Sequence, residues 1–355
     1  MFLSKKLLID TWVPIVEEKW SSKASGAASS TWQMTVPVFV GTNKIFYHSG
    51  TYNTRSVQIE DCANTQTDII NSTFPFFAEG DSGASAYTYY SQKQTSSNIT
   101  FAKLVIDVPT EVCTPTTYVK TWSKTLATMH TMFGDTIIWS DSTTSSSVLY
   151  ANTTTLKSIS SAGGFGYIGK PDSSHVLVSN GNNVYTTTSS ATSVLFTKSI
   201  TGSVKYVDGR YYIMLYYPTL TLVKLSSSGV IEWQKGYYAD EENTVPITIR
   251  FLGYTNGKLY GVSFPTSVDS TSRYYKLVLL EIDMDTGDVL HTYDMPTPRA
   301  VTEGVIPLSD SIAHSMGNFN FGVQAINRRF ALPILAGHTK NSIFYHDWFI
   351  ITVPE

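Results

Sequence analysis

A chain of 355 residues with 42% hydrophobic and only 15% charged side chains has material for a sizeable core and a weakly charged surface. Its formal net charge of −3 comes without a dense Lys/Arg stripe, which argues against a nucleic-acid partner, because neutralising phosphates takes clustered cations. No apolar run approaches the length of a membrane span.

The first residues, Met1 to Asp10, carry too short an apolar stretch for a secretory signal, and no small-residue cleavage site follows. The expectation is a protein that reaches its place without a signal peptide. Leu7–Val13 has strand character, and Pro14 opposes a helix through Leu7–Trp20. Ser21–Ser30 is small and polar and reads as a flexible loop. Residues 1–30 are thus expected to be a terminal strand and a loop, with the repeating part of the chain in 31–355.

From there the sequence reads as strands almost without interruption, consistent with its 22 Tyr and 17 Phe, since aromatic and β-branched residues suit a pleated surface. Gly41-Thr-Asn-Lys-Ile-Phe-Tyr47 opens one turn-plus-strand unit, continued by Ser56-Val-Gln-Ile59. Phe74-Pro-Phe-Phe77, Ala84–Tyr90 and Ile99–Val108 make a second. Gly134–Trp139 with Ser147–Tyr150 is a third. Asp172–Val178, the Asn180-Gly181 turn, Val184-Tyr185 and Ser193–Phe196 make a fourth. Gly164-Phe-Gly166-Tyr-Ile-Gly169 matches G-x-G-x-x-G, but Lys170-Pro171 follows where a dinucleotide fold needs a helix, so it reads as a turn.

The pattern is sharpest between Val204 and Asp294, where it occurs twice. Asp208-Gly209 precedes Arg210–Tyr217, then come Leu220–Leu225, Gly229 and Val230–Trp233. Asn256-Gly257 precedes Lys258–Phe264, then come Tyr275–Ile282, Thr286-Gly287 and Asp288–Tyr293. Each copy is turn, strand, loop, strand, Gly turn, strand. Ala300–Glu355 adds Phe330–Leu335 and Ile343–Val353.

That order resembles the quinoprotein-type (PQQ-like) β-propeller repeat over these two copies. The resemblance implies an all-β fold of four-stranded blades. Openings spaced by roughly 35–55 residues favour seven blades, with six or eight as alternatives, in one domain spanning 1–355. The ring is expected to close by pairing the N-terminal strand with Phe349–Val353, which would cover two edges. The competing architecture is a pair of β-sandwiches divided near Ser158–Gly164. The cofactor residues of quinoprotein dehydrogenases have no counterpart here, so no cofactor is expected and no activity comes with the repeat.

Candidate chemistry is sparse. Asp283, Asp285 and Asp288 could form a calcium loop, but the closing Glu of an EF-hand is missing. Together with Asp208, Gly209, Gly229, Asn256, Gly257 and Gly287 they read better as structural turns. Asp240-Glu241-Glu242 reads as a solvated loop. The seven histidines (His48, His130, His175, His291, His314, His338 and His346) lack metal-site spacing. Glu79 with Asp81, and Asp107 with Glu111, are the carboxylate pairs a glycosidase would need. Cys62 and Cys113 are expected to stay reduced, although a bridge between them would contribute roughly 4 kcal/mol.

The reading favoured by the sequence is a non-catalytic binding propeller of a virus particle, a phage or archaeal virus. It would contact other virion proteins, or a host-surface glycan or protein, within a larger assembly. The alternative is a carbohydrate-binding or glycosidase-like propeller working at its central face, with a cytoplasmic location as the alternative to the virion.

Overall fold

The computed structural model describes residues 12–24, 36–49, 53–59, 67–71, 78–82, 85–94, 98–121, 127–142, 145–160, 163–215, 220–238, 247–265, 277–297, 325–338 and 343–355. Several sequence expectations concern residues outside these: the Leu7–Asp10 part of the terminal strand, Phe74–Phe77, Cys62, Asp240–Glu242, and most of Ala300–Ala325. The side chains of His48, Glu79, Asp81, His314, His338 and His346 also lie outside the described set.

The described residues form strands in chain order. These are β1 (Ile15–Ala24), β2 (Val36–Val40), β3 (Lys44–Ser49), β4 (Asn53–Gln58), β5 (Thr67–Asn71), β6 (Ala78–Ser82), β7 (Ala86–Gln94), β8 (Asn98–Asp107) and β9 (Val112–Thr121). Then come β10 (Ala127–Phe133), β11 (Thr136–Ser142), β12 (Ser147–Ala151), β13 (Thr154–Ile159), β14 (Gly166–Gly169), β15 (Val176–Asn180), β16 (Asn183–Thr187) and β17 (Thr192–Thr197). The series ends with β18 (Val204–Val207), β19 (Arg210–Leu215), β20 (Thr221–Leu225), β21 (Ile231–Gly236), β22 (Ile247–Thr255), β23 (Lys258–Pro265), β24 (Val278–Asp283), β25 (Val289–Asp294), β26 (Arg329–His338) and β27 (Ile343–Thr352).

They pair as consecutive antiparallel meanders: β2–β5, β6–β9, β10–β13, β14–β17, β18–β21 and β22–β25. These are four-stranded blades, and the fold is an all-β propeller type. The count is six four-stranded sheets among the described residues, a correction to the expected seven. The cause lies at the chain ends: β26 and β27 are ten-residue strands, and β1 adds to them to make a three-stranded sheet. β1 runs antiparallel to β27 from Ile15↔Thr352 to Ala24↔Ile343. The terminal strand thus starts at Ile15 and continues through Ser21–Ala24, which the sequence had suggested as loop.

The chain divides into two compact units, one of Met1–Asn71, Tyr216–Thr221 and Lys235–Glu355, the other of Ser72–Leu215 and Leu222–Gln234. In each, the core lies between successive sheets. In the second unit Phe101 and Tyr90 meet Met129, Ile137 and Trp139; Ile138 and Leu149 meet Val176, Val178 and Tyr185; Leu177 and Val184 meet Val204, Ile213 and Val223. The middle cluster joins residues on both sides of Ser158–Gly164, so the two-sandwich division there is not what forms. In the first unit Leu279 and Val262 pack on Phe330, Phe349 and Ile351, while Ile45 and Tyr47 pack on Ala331, Trp348 and Ile350. Each such Val, Leu, Ile or Phe contributes about 1.5–3 kcal/mol on burial, so the cohesion of each unit resides between sheets.

Bulges recur in the same places. The first strand shifts register at Val38, His130, Ile168 and Leu252, near the turn that leads to its partner. The last strand shifts at Leu156, Leu195 and Leu290, and the β4–β5 pairing shifts similarly. A bulge increases local twist, which suits sheets stacked face to face.

Candidate functional site

The singled-out turns come first. Asp208 and Gly209 (φ 48° and 80°) join β18 to β19, with Val207 opposite Arg210. Asn256 and Gly257 (φ 50° and 69°) join β22 to β23, with Thr255 opposite Lys258. Two successive positive φ angles define the two-residue turn whose twist matches a hairpin, and only Gly, Asn and Asp enter it cheaply. Gly229 (φ 83°) and Gly287 (φ 71°) close the Ser226–Val230 and Asp283–Asp288 turns between third and last strands.

The carboxylates of the second of these turns already have partners. Asp283 Oδ1 accepts from the amides of Asp285 (2.8 Å) and Thr286 (2.9 Å), and its Oδ2 accepts from Lys258 Nζ (3.0 Å). Asp288 Oδ1 accepts from Lys235 Nζ. Slight burial pulls the Asp283 carboxyl up, but the Thr286 and Asp285 amides and Lys258 outweigh it and hold the group below the ordinary carboxylate range. Among the described residues, no three His, Cys, Asp or Glu side chains gather as metal ligands would. Asp107 caps its own turn by accepting from the Thr110 amide and hydroxyl, and Glu111 is buried at a positive φ of 53°. Burial pushes the Cys113 thiol up to about 12, which keeps it protonated and unreactive.

Gly164–Gly169 is only half a turn, since Gly166–Gly169 is β14, the first strand of its sheet. Gly169 lies so close to Tyr206 that a Cβ there would stand 2.8 Å from both the Tyr206 Cβ and its carbonyl oxygen. Close packing of sheets explains that glycine.

Two polar groupings are internal. His130, at the first-strand bulge, is fully buried and its Nε2 lies 2.9 Å from Ser140 Oγ. Burial lowers its pKa to about 3, so the ring is neutral. The corresponding bulge residues Val38, Ile168 and Leu252 are buried and apolar. In the first unit, Tyr260, Glu281 and His291 stand opposite one another across β23, β24 and β25. The Tyr260 hydroxyl donates to Glu281 Oε1 at 3.3 Å, His291 Nε2 is 3.9 Å from Oε2, and Trp12 stacks on the His291 ring at 5.2 Å. Burial, then the adjacent Glu281, push the Tyr260 phenol well above its usual range. This row braces Trp12 against the sheet.

A surface feature had no sequence signal. Among the described residues, the exposed large hydrophobic ones are Val13, Ile15, Val112, Val194, Leu195, Val230, Ile231 and Leu290. Each lies on, or within two residues of, a sheet's boundary strand: β1, or the last strands β9, β17, β21 and β25. First, second and third strands of the four-stranded sheets present none among the described residues. In the second unit Gly229, which precedes Val230 and Ile231, packs on Phe196 and the Thr197 carbonyl, which follow Val194 and Leu195.

First strands of the second unit are different in kind. Lys170 Nζ lies 5.5 Å from the Phe133 ring centroid and Lys205 Nζ 5.9 Å from that of Tyr167. Tyr206, beside Tyr211 at 5.1 Å, has its hydroxyl pushed up by burial and by the nearby Asp208 and Asp172. Asp172 itself is bound by Ser174 and His175 in its own loop.

No protein-family model matches the chain, and no curated protein sequence matches it. Among solved structures, it is similar to a variant of the Synechocystis apocarotenoid oxygenase, at 10% identity over 74% of this chain and 72% of that one, with a TM-score of 0.45. It is also similar to the WD40 domain of SCAP from fission yeast (8% identity, 86% and 81% covered, TM-score 0.40) and to the AfRom2 CNH domain (7%, 90% and 96%, 0.38). Among the described residues no helix is long and apolar enough to cross a membrane.

Proposed function

We propose that this chain is a non-catalytic binding protein that docks through the last strands of its blades. The observation that carries this is that, among the described residues, the exposed aliphatic side chains lie on or beside boundary strands, Val194, Leu195, Val230 and Ile231 among them. Propeller folds commonly serve protein–protein binding, and apolar patches rimmed by polar residues are where such binding occurs. The turn residues, Asp283, Asp285 and Asp288 included, then serve geometry rather than a metal. Residues 1–355 are read as one propeller domain with a quinoprotein-type repeat, its ring closed through β1 and β27.

The finer reading is a component of a phage or archaeal virus particle, contacting other virion proteins or a host surface. Its support is compositional: a sequence low in charge and rich in Ser, Thr, Asn and Tyr. The test is mass spectrometry of purified particles. A stoichiometric copy number supports the virion, and absence from particles with presence in cell lysate removes it. A second reading, glycan binding, draws on Tyr206 with Asp172 and Asp208, since an aromatic beside carboxylates suits a sugar ring. Binding on a glycan array that is lost in Tyr206→Ala would support it, and a blank array would remove it.

A further inference from the structure

In the four-stranded sheets of the first unit, a second strand starts at the turn that follows the first strand. β3 starts after the turn closed by the Gly41 amide donating to the Lys44 carbonyl (2.8 Å), and β23 after Asn256-Gly257. β26 starts at the same end. Arg329 Nη1 donates to the Gly41 and Thr42 carbonyls (2.5 and 3.0 Å), the Ala325 amide donates to the Tyr254 carbonyl (2.9 Å), and the Phe330 ring lies 5.0 Å from that of Tyr260. β26 thus holds a second strand's place, β27 a third's and β1 a fourth's, and this sheet has no first strand among the described residues. The turn before β26 agrees. Asn327 and Arg328 have φ 53° and 58°, and the Arg329 amide donates to the Ile326 carbonyl, the two-residue hairpin turn also formed by Asp208-Gly209 and Asn256-Gly257. The Arg328 carbonyl accepts from the Val353 amide (3.1 Å). Backbone groups of an antiparallel strand alternate between its two sides, so those of Phe330 and Leu332 face β27, while those of Arg329 and Ala331 face the opposite border. Pro333 shares that border and brings no N–H to it.

We propose that the chain's own residues Asn318–Gln324, which lie outside the described set, dock on this border of β26 as the first strand of its sheet. The inference goes beyond the docking reading and does not depend on it. Connectivity, register and sequence all point to this occupant. Asp294, which ends β25, stands opposite Val278, Val278 opposite Ser263, and Ser263 opposite Ile249, so the chain leaves β25 at the end of the sheet where β22 begins. Ala325 is bonded to Tyr254 at the other end. The chain has to cross the height of the sheet before Ala325, which a first strand does at about 3.3 Å per residue. In β2, β10 and β22 the register shifts at Val38, His130 and Leu252, four residues before the first central residue of the turn (Thr42, Gly134 and Asn256). The same count back from Asn327 falls on Val323, apolar like Val38 and Leu252. Asn318-Phe-Asn-Phe-Gly-Val-Gln324 begins with polar and aromatic residues in alternation, the period of a strand, and carries no charge.

The experiment is hydrogen exchange followed by mass spectrometry on the full wild-type chain, read at residues 318–326. These should exchange about a hundredfold or more slowly than unprotected amides, as β22 and β26 do. Exchange at the unprotected rate while β26 and β27 stay protected overturns the proposal. A cross-link then tests the partner. With Ile326 opposite Arg329, Gln324 falls opposite Ala331, and facing residues of a bonded pair stand about 5.5 Å apart, within reach of a disulfide. In a Cys62→Ser, Cys113→Ser background, Gln324→Cys with Ala331→Cys should form an intrachain bridge under mild oxidation, and Ala300→Cys with Ala331→Cys should not. No bridge from position 324, a bridge between two chains, or equal bridging from position 300 overturns the proposal.

Discussion

The two best-matched copies of the repeat, β18–β21 and β22–β25, use the same turns but fill one contact in opposite ways. Counting from the two-residue turn, Ile213 on β19 corresponds to Gly261 on β23, and, once the extra residue at the Leu252 bulge is allowed for, Gly202 just before β18 corresponds to Ile249 on β22. In the first copy the Ile213 side chain fills the space above Gly202, where a Cβ would come within 2.5 Å of its Cγ2. In the second, Ile249 fills the space above Gly261 at the same 2.5 Å. One large and one absent side chain meet in both, with the strands exchanged. The lesson is that the repeat preserves the volume of a contact rather than the residue at a position, as close-packed interiors require.

The largest effect should come from breaking that complementarity. Gly261→Ile puts a side chain against both Ile249 and the Arg250 carbonyl and should cost about 3 kcal/mol or more. Combining it with Ile249→Gly should recover about 1–3 kcal/mol relative to the sum of the single changes, measured by urea denaturation. Strict additivity would mean that the two positions do not share the contact. The reverse exchange in the first copy should fail, because Gly202 has φ 133°, a conformation that side chains rarely adopt.

A second contrast lies at the first-strand bulge, where His130 stands in the place taken by Leu252 in the β22–β25 sheet. Folded His130 stays neutral down to about pH 3, whereas an unfolded imidazole takes up a proton near pH 6.5, about its ordinary value. The unfolded state therefore binds more protons between these limits. Stability is full above about pH 6.5 and should fall by up to about tenfold in the folding equilibrium per pH unit below it. Replacing His130 by Leu and Ser140 by Ala should flatten this part of the pH–stability curve. A curve unchanged by the double substitution would show that His130 is not the group responsible.

The smallest effect concerns the turns between third and last strands. Asp283 accepts two amides in the second copy, while Ser226 holds the matching place in the first, its hydroxyl accepting from the Ser228 and Val230 amides. A carboxyl held below its usual range stabilises the fold above about pH 4 and stops doing so as pH falls through its folded value. Asp283→Asn should therefore cost about 1 kcal/mol near neutrality, and calorimetry should show the difference vanish in acid. Ser226→Ala should cost a similar or smaller amount at every pH.

What was readable in the sequence was local. Asp208-Gly209 and Asn256-Gly257 announce their turns because a positive φ at two successive residues limits the choice of side chain, and alternating apolar residues announce the strands between them. These features gave the all-β class, the four-stranded unit and the two clearest blades. The blade count went wrong at Ala300–Glu355, where strand length and a partner from the other end of the chain decide the sheet, and neither leaves a local mark. The candidate binding surface was equally hidden. Val194 and Leu195 look like core residues of any strand, and only the position of β17 at the border of its sheet exposes them. Sequence by itself determined where this chain turns and which stretches are extended, because those depend on neighbouring backbone angles. Which strands stand at a border, which glycine receives which isoleucine, and where His130 is sealed from water were decided by the tertiary structure, because each depends on residues that only packing brings together.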